Sequence, residues 1–202
     1  MSGGLTRFWW LRHAPVPDPE GRISGQLDLP CDTSDEVWFQ SLAAKLPRNA
    51  VLVESGLMRC GQTIGALEAA GLPLPPPQVE PGLMEQNFGH WQGRGWGELA
   101  SAKDPDLAAF WQSPATATPP GGESFAAMVE RVGEVVEMLA SDHAGRDIII
   151  VAHAGTIRAA LALALNIPPA SALGFAVDPL SLTRIDAVHG GWRVCGVNWL
   201  PE

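Results

Sequence analysis

A chain of 202 residues with 46% hydrophobic and 17% charged residues has the composition of a globular protein, not of a disordered or coiled-coil one. Its net charge of −9, from 13 basic and 22 acidic residues, argues against nucleic acid and anionic membrane surfaces as partners. The length suits one packed domain, so we predict a single domain over residues 1–202.

The cysteines and the hydropathy of the chain bear on its location. Cys31, Cys60 and Cys195 are odd in number and lack the spacing of metal ligands, which predicts a reduced, cytoplasmic setting. Residues 1–4 show no signal-peptide pattern, and no apolar run reaches membrane-spanning length. We therefore expect a cytoplasmic protein without a membrane partner, present as a monomer or a homodimer.

The first element is the apolar run 8–11, which leads directly into Arg12 and His13. Pro15 and the prolines and glycines that follow it exclude a helical continuation. The run is therefore predicted to be a buried strand that carries Arg12 and His13 at its carboxyl-terminal edge. Trp9 and Trp10 must face opposite sides of this strand, so at least one of them belongs to the core.

The next elements alternate between helix and strand. Thr33 or Ser34 is predicted to cap a helix whose apolar stripe is Trp38, Leu42 and Leu46. A short apolar strand follows over 50–54. Ser55 is predicted to cap the next helix, which Gly71 ends and which carries Arg59 near its start.

The second half continues this alternation. We predict a short strand at 78–80, a weak helix over 104–112, a strong amphipathic helix over 124–140, and the clearest strand at 148–152. His153 follows that strand directly. The alanine content of residues 155–165 favours a helix over a strand for that segment. Strand-like segments lie near 174–177, 181–186 and 192–197. This order predicts a three-layer α/β/α sandwich with a mostly parallel central sheet.

Three of the predicted strand ends carry Arg12 with His13, Arg59, and His153. Ligands bind at the carboxyl ends of strands in open α/β sheets, so these groups are expected to converge there. Such an electropositive pocket suits a phosphoryl group, whose oxygens need charge neutralisation. A neutral imidazole can attack phosphorus, and the leaving alkoxide then needs a proton from a nearby acid.

Several blocks, in order, resemble the histidine phosphatase superfamily, the phosphoglycerate mutase-like proteins. Leu11-Arg12-His13 resembles the Arg-His-Gly signature of that family. Residues 25–30 resemble its Gly-x-x-Asp-x-Pro segment, and 55–63 its Ser-x-x-x-Arg-Ala-x-Gln-Thr block. Residues 85–93 resemble its Glu-x-x-Phe-Gly-x-Trp-Glu-Gly block, and 121–124 and 151–155 complete the series.

The resemblance implies a phosphoglycerate mutase-like fold and a metal-independent phosphatase that acts through a phosphohistidine. By position, His13 would be the nucleophile and Glu85 the acid that protonates the leaving group. Arg12, Arg59 and His153 would hold the phosphoryl oxygens, so that His153 is also counted as catalytic. Neither a metal nor an organic cofactor is implied, and the partner is a small phosphorylated metabolite. The pocket rim is predicted at Gln26, Trp91, Glu123 and Ser124.

The loop after His13 departs from the common pattern. Ala14, Pro15 and Val16 stand where family members commonly have Gly-x-Thr, and the usual Asn is missing. Ala154 is a further departure, in place of a frequent Gly after the second His. The run from Arg12-His13 through Ala14-Pro15 and a short loop into 25–30 looks most like the α-ribazole phosphatase branch, which acts in cobalamin biosynthesis. Mutase-type phosphoryl transfer and a non-catalytic phosphate-binding regulator stay open as alternatives. A metallohydrolase is a third, although ligands at workable spacing are lacking.

Overall fold

The computed structural model describes residues 4–18 and 20–200. Its strands form one six-stranded sheet in the order β3-β2-β4-β1-β5-β6. The neighbours from β3 to β1 run parallel, and β5 and β6 are antiparallel. The strands are β1 (Thr6–Arg12), β2 (Val51–Glu54), β3 (Gln78–Val79), β4 (Asp147–Ala152), β5 (Leu182–Val188) and β6 (Gly191–Trp199).

Helices cover both faces of this sheet. They are α1 (Glu36–Lys45), α2 (Met58–Ala69), α3 (Trp96–Ser101), α4 (Pro105–Gln112), α5 (Phe125–Asp142), α6 (Ala154–Leu165) and α7 (Pro169–Ala172), with short 3-10 turns at Pro81–Leu83 and Gly89–Trp91. The helix predicted over 155–165 is thereby confirmed. The segment 174–177, predicted to be strand-like, is instead part of the loop between α7 and β5. In this loop the Val177 carbonyl accepts a hydrogen bond from Arg12 rather than from a neighbouring strand.

The core follows from the alternation of side chains along β1. Phe8 and Trp10 pack with α5 and α6 on one face of the sheet, and Leu11 packs with α1 and α2 on the other. Trp9 is half-buried on this second face, so the two tryptophans do point in opposite directions. The predicted three-layer sandwich with a mostly parallel sheet is confirmed.

Strand register brings the predicted site together. Arg12 on β1 lies opposite Ala152 on β4, and the amide of His13 donates to the Ala152 carbonyl at 2.9 Å. Glu54 on β2 lies opposite Val151 on the other side of β4. The residues that follow these three strands therefore meet at the same edge of the sheet.

Two predicted helix caps are wrong. The helix α1 is capped by Asp35, whose carboxylate accepts from the amide of Trp38, because the residue that begins the turn is one or two positions later than expected. The helix α2 starts at Met58 without a side-chain cap. Ser55 lies too far upstream to cap it and contacts His153 instead.

Two predictions concern the chain as a whole. The single domain over 1–202 stays a prediction, and residues 1–3, 19 and 201–202 lie outside the described part. No helix among the described residues is both long and apolar enough to cross a membrane.

The centre of the sheet should dominate stability. Ile150 on β4 is fully buried between the two helical layers, so Ile150→Ala leaves a cavity that its neighbours cannot fill. We expect the free energy of unfolding to fall by about 2–5 kcal/mol in urea titrations. Val37→Ala on the exposed side of α1 is the control and should change it by less than about 0.5 kcal/mol. Equal effects of the two substitutions would contradict this picture of the core.

Candidate active site

His13 presents one ring nitrogen to the cavity at the sheet edge. Its Nδ1 lies 2.7 Å from the carbonyl oxygen of Ala14. A carbonyl can only accept, so Nδ1 carries the proton and Nε2 keeps its lone pair. Nε2 makes no hydrogen bond within the described residues, and the side chain lines the cavity. This is the tautomer that a nucleophile requires.

The surroundings of His13 keep it neutral. Burial, reinforced by the charge of Arg59, lowers the pKa of His13 to about 3, and the bond to the Ala14 carbonyl opposes this only in part. The imidazole therefore keeps its lone pair throughout the physiological pH range.

Arg59 and His153 form a buried pair beside His13. The Nε of Arg59 donates to Nδ1 of His153 at 3.2 Å, and the rings of His153 and His13 lie 5.1 Å apart. The guanidinium also donates to the carbonyls of Leu27 and Gly25, both at 2.7 Å. These bonds use three of its five N–H donors, and Arg59 lines the cavity with the remainder available to a ligand.

Ser55 holds the far side of His153. Because Nδ1 of His153 accepts from Arg59, its Nε2 carries the proton and donates to the Ser55 hydroxyl at 2.8 Å. The hydroxyl in turn donates to the thiol of Cys60, whose pKa burial raises to about 12. Cys60 is thus a packing thiol. Both nitrogens of His153 are engaged, so its direct contact with a phosphoryl group stays a prediction.

Thr63 is a second contributor that the sequence did not indicate. Its hydroxyl accepts from the amide of Ala14 at 2.9 Å and donates to the Arg59 carbonyl at 2.7 Å. It therefore ties the loop after His13 to the helix that carries Arg59. The Ser and Thr of the 55–63 block were available as a signal, but their partners are distant in sequence.

Arg12 supplies the second cation. Its Nη1 donates to the Val177 carbonyl at 2.6 Å, and its buried Nε has no hydrogen-bond partner within the described residues. Burial lowers the pKa of Arg12, and likewise that of Arg59, because charge is costly away from water. Neither guanidinium forms an ion pair with a carboxylate of the described chain. One buried guanidinium, of Arg59, and one partly buried guanidinium, of Arg12, thus face the same cavity, and neither is in an ion pair within the described chain.

Glu85 enters the cavity from the opposite side. One carboxylate oxygen accepts from the amide of Gly155 at 3.2 Å and the other from the amide of Gln86 at 2.9 Å. A Cβ at Gly155 would collide with this carboxylate, so glycine is needed at that position. Glu85 lines the same cavity as His13, as the sequence predicts.

The cavity has a volume of about 400 Å³ and is lined by both apolar and charged side chains. Val16, Ile23, Phe88 and Trp96 give it an apolar wall. Asp18 and Arg22 at the mouth pair with each other at 3.2 Å. Arg22 also lies 3.6 Å from a carboxylate oxygen of Glu20, so this cation is already compensated.

The predicted rim residues are not among those that line this cavity. Trp91 is buried in a cluster with Phe110, against which Phe88 and Trp96 pack, and Trp96 is the tryptophan that lines the cavity. Gln26 donates through its amide to the Glu85 carbonyl at 3.0 Å. Glu123 pairs with an arginine of α5, and Ser124 caps that helix through the amide of Ala127. Gln26 and Glu123 are thus bonded to the backbone around Glu85.

A larger groove of about 530 Å³ lies between α1 and α2, but none of the predicted site residues lines it. No group of three or more His, Cys, Asp or Glu side chains in residues 4–18 and 20–200 is arranged to hold a metal ion.

Comparison with known proteins places the chain in a family. The model of the histidine phosphatase superfamily (branch 1) matches residues 8–200. The chain therefore belongs to the histidine phosphatase superfamily, as its motifs predict.

Three relatives illustrate the range of the family. A bifunctional protein of Mycobacterium tuberculosis is 34% identical over 81% of this chain and 45% of its own length, so the chain spans about half of that relative. The metal-independent phosphoserine phosphatase of Arabidopsis thaliana is 33% identical over 86% of this chain and 74% of its own. The crystal structure of the α-ribazole phosphatase from Shigella flexneri matches with a TM-score of 0.84 at 25% identity, covering 96% of each chain.

The neutral state of His13 should make stability depend on pH. Its folded pKa lies below that of an unfolded histidine, near 6.5, so in acid the unfolded chain binds a proton that the folded chain excludes. Above pH 6.5 His13 is neutral in both states, and the free energy of unfolding does not depend on its protonation. As the pH falls from 6.5 towards 3, the free energy of unfolding decreases, because only the unfolded chain takes up the proton. Between pH 7 and pH 5 we expect His13 alone to cost about 2 kcal/mol of unfolding free energy.

Urea titrations of wild type and His13→Gln at both pH values measure this contribution. The variant should lose about 2 kcal/mol less than wild type between pH 7 and pH 5. His189→Gln, in the exposed turn between β5 and β6, is the control and should follow wild type. An identical pH dependence in His13→Gln and wild type would disprove the assignment.

Proposed function

We propose that this chain is a metal-independent phosphomonoesterase that works through a phosphohistidine on His13. The observation that carries the proposal is that the guanidiniums of Arg12 and Arg59, neither of them in an ion pair with a carboxylate of the described chain, lie beside a neutral imidazole with an available Nε2. A dianionic phosphoryl group supplies the charge that this cavity lacks, and the planar guanidinium matches its oxygens. Membership of the histidine phosphatase superfamily supports the same reaction.

In the first step, the Nε2 lone pair of His13 attacks phosphorus opposite the ester oxygen. The P–O bond to the leaving group breaks, and Glu85 in its acid form gives its proton to that oxygen, so that an alcohol departs. Arg12 and Arg59 neutralise the charge on the remaining phosphoryl oxygens. The Nδ1 bond to Ala14 holds the ring as positive charge develops on it.

In the second step, water attacks the phosphohistidine. Glu85, now a carboxylate, accepts a proton from this water, the P–N bond breaks, and inorganic phosphate and neutral His13 are regenerated. The protein supplies all the charge for both steps from its own side chains. The proposed reaction therefore needs no metal ion.

The wall of the cavity favours a particular leaving group. Phe88 and Trp96 offer aromatic faces beside Ile23, whereas Arg22 at the mouth is compensated by Asp18 and Glu20. A ring-bearing alcohol gains from these faces, but a second anionic group finds no uncompensated cation there. We therefore propose a ring-bearing phosphomonoester as substrate, of which α-ribazole phosphate, named in related phosphatases, is an example.

His13→Ala should abolish hydrolysis of p-nitrophenyl phosphate, because it removes the imidazole whose Nε2 attacks phosphorus in the first step. The wild-type rate should be unchanged by EDTA. His189→Ala is the matched control and should keep the wild-type kcat and KM. Acid-labile, alkali-stable phosphate on the quenched wild-type protein, and its absence from His13→Ala, would identify the intermediate.

Other outcomes of this experiment lead to other functions. Hydrolysis that survives in His13→Ala would refute the phosphohistidine route. Inhibition by EDTA would indicate a metallohydrolase. Binding of inorganic phosphate without any turnover would favour a regulatory phosphate-binding protein.

A substrate panel tests the aromatic wall. We expect kcat/KM for α-ribazole phosphate to exceed that for phosphoserine and 3-phosphoglycerate, and Trp96→Ala to lower it about tenfold through loss of one ring contact. Trp199→Ala, on the exposed end of β6, is the control. A flat profile, or equal loss on every substrate in Trp96→Ala, would contradict the assigned substrate class and leave the phosphatase reaction intact.

A further inference from the structure

Glu123 and Arg131 form a two-point ion pair beside the active site. Nη2 of Arg131 lies 2.7 Å from one carboxylate oxygen of Glu123, and Nε lies 3.3 Å from the other. Both side chains are mostly buried, with 26% and 20% of their surfaces exposed for Arg131 and Glu123. Bidentate geometry of this kind fixes orientation as well as charge.

Arg131 uses its remaining donors on the chain just before Glu85. Its Nη1 donates to the Gly82 carbonyl at 2.7 Å and to the Met84 carbonyl at 3.2 Å. The residue before the proposed acid is thus bonded directly to a side chain of α5.

Glu123 holds the chain just after Glu85. Its carboxylate accepts from the amide of Asn87 at 2.9 Å, and its own amide donates to the Asn87 carbonyl at 2.8 Å. Its carbonyl accepts from the side-chain amide of Gln86 at 2.9 Å. A Cβ at Gly122 would strike the backbone of the same segment, so the approach is as close as backbone allows.

We propose that the Glu123–Arg131 pair is a positioning device for the acid of this site, clamping the segment 82–87 on both sides of Glu85. The proposal rests on the proposed function, because it assigns Glu85 the role of proton donor. Both members of the pair act through the backbone and neither lines the cavity. The clamp fixes where the Glu85 carboxylate meets the leaving-group oxygen, which is the geometry that proton transfer depends on.

A matched ion pair distinguishes positioning from stability. Arg184 and Asp186 also form a two-point pair, at 2.9 and 3.1 Å, with a similarly buried arginine at 24% exposure. This pair lies within β5, away from the segment 82–87. Arg184→Ala therefore removes a comparable ion pair without touching the acid.

Two substrates with the same kind of ring separate the acid from the nucleophile. Benzyl phosphate releases an alkoxide that must be protonated, whereas p-nitrophenyl phosphate releases a stable phenolate. For Arg131→Ala and Glu123→Ala we expect kcat/KM on benzyl phosphate, which reports the steps up to phosphorylation of His13 and not the later attack of water, to fall about 10- to 100-fold. On p-nitrophenyl phosphate the fall should be less than about threefold, and Arg184→Ala should match wild type on both.

The Glu85→Gln background supplies the decisive comparison. If the pair acts through Glu85, adding Arg131→Ala to Glu85→Gln should cause no further loss on benzyl phosphate. Equal losses on both substrates, or a further loss in that background, would overturn the clamp and leave the phosphatase intact. So would loss in Arg131→Ala but not in Glu123→Ala, since the missing charge would then be responsible.

Amide hydrogen exchange tests the clamp independently of activity. Arg131→Ala should speed exchange at Gln86 and Asn87, whereas Arg184→Ala should leave it unchanged. Unchanged exchange at these amides in Arg131→Ala would overturn the clamp whether or not the protein hydrolyses either substrate. Faster exchange together with normal benzyl phosphatase activity would overturn it as well.

Discussion

The alignment of β1 with β4 is the constraint on which the site depends. Because Arg12 lies opposite Ala152, the next residue on each strand is a histidine, and the two rings meet at 5.1 Å. A shift of one residue in this register would turn every side chain of β1 to the other face. The register is held by side chains that alternate between two helical layers, so the core and the site are specified together.

Electrostatic asymmetry follows from that convergence. The protein is acidic overall, yet the sheet edge gathers the buried guanidinium of Arg59 and the partly buried one of Arg12, neither in an ion pair with a carboxylate of the described chain. Backbone carbonyls of Leu27, Gly25 and Val177 accept from these groups instead, which orients them without cancelling their charge. Burial and the neighbouring positive charges also lower the pKa of His13, so the groups that make the cavity electropositive help to preserve the lone pair on Nε2.

Glu85 differs from the other site residues because it does not follow a strand of the sheet. It stands on an irregular segment, which by itself would leave its carboxylate loosely placed. Contacts from three other parts of the chain hold Glu85 and its segment in place. They come from Gly155 at the start of α6, from Gln26 in the first loop, and from the Glu123–Arg131 pair at α5. Gln26 and Glu123, two of the residues expected at the pocket rim, thus hold the backbone around Glu85.

The sequence by itself determined the alternation of strands and helices, the placement of Arg12, His13 and His153 at strand ends, and the family. These depend on local periodicity and on motifs that survive without spatial information. Only the tertiary structure decided that Ser55 binds His153 and that Trp96 lines the cavity where Trp91 was expected. Such pairings join residues far apart in the chain. The local sequence around a serine is the same whether its hydroxyl caps a helix or binds a distant histidine, and that around a tryptophan is the same whether its indole lies in the core or at a cavity wall.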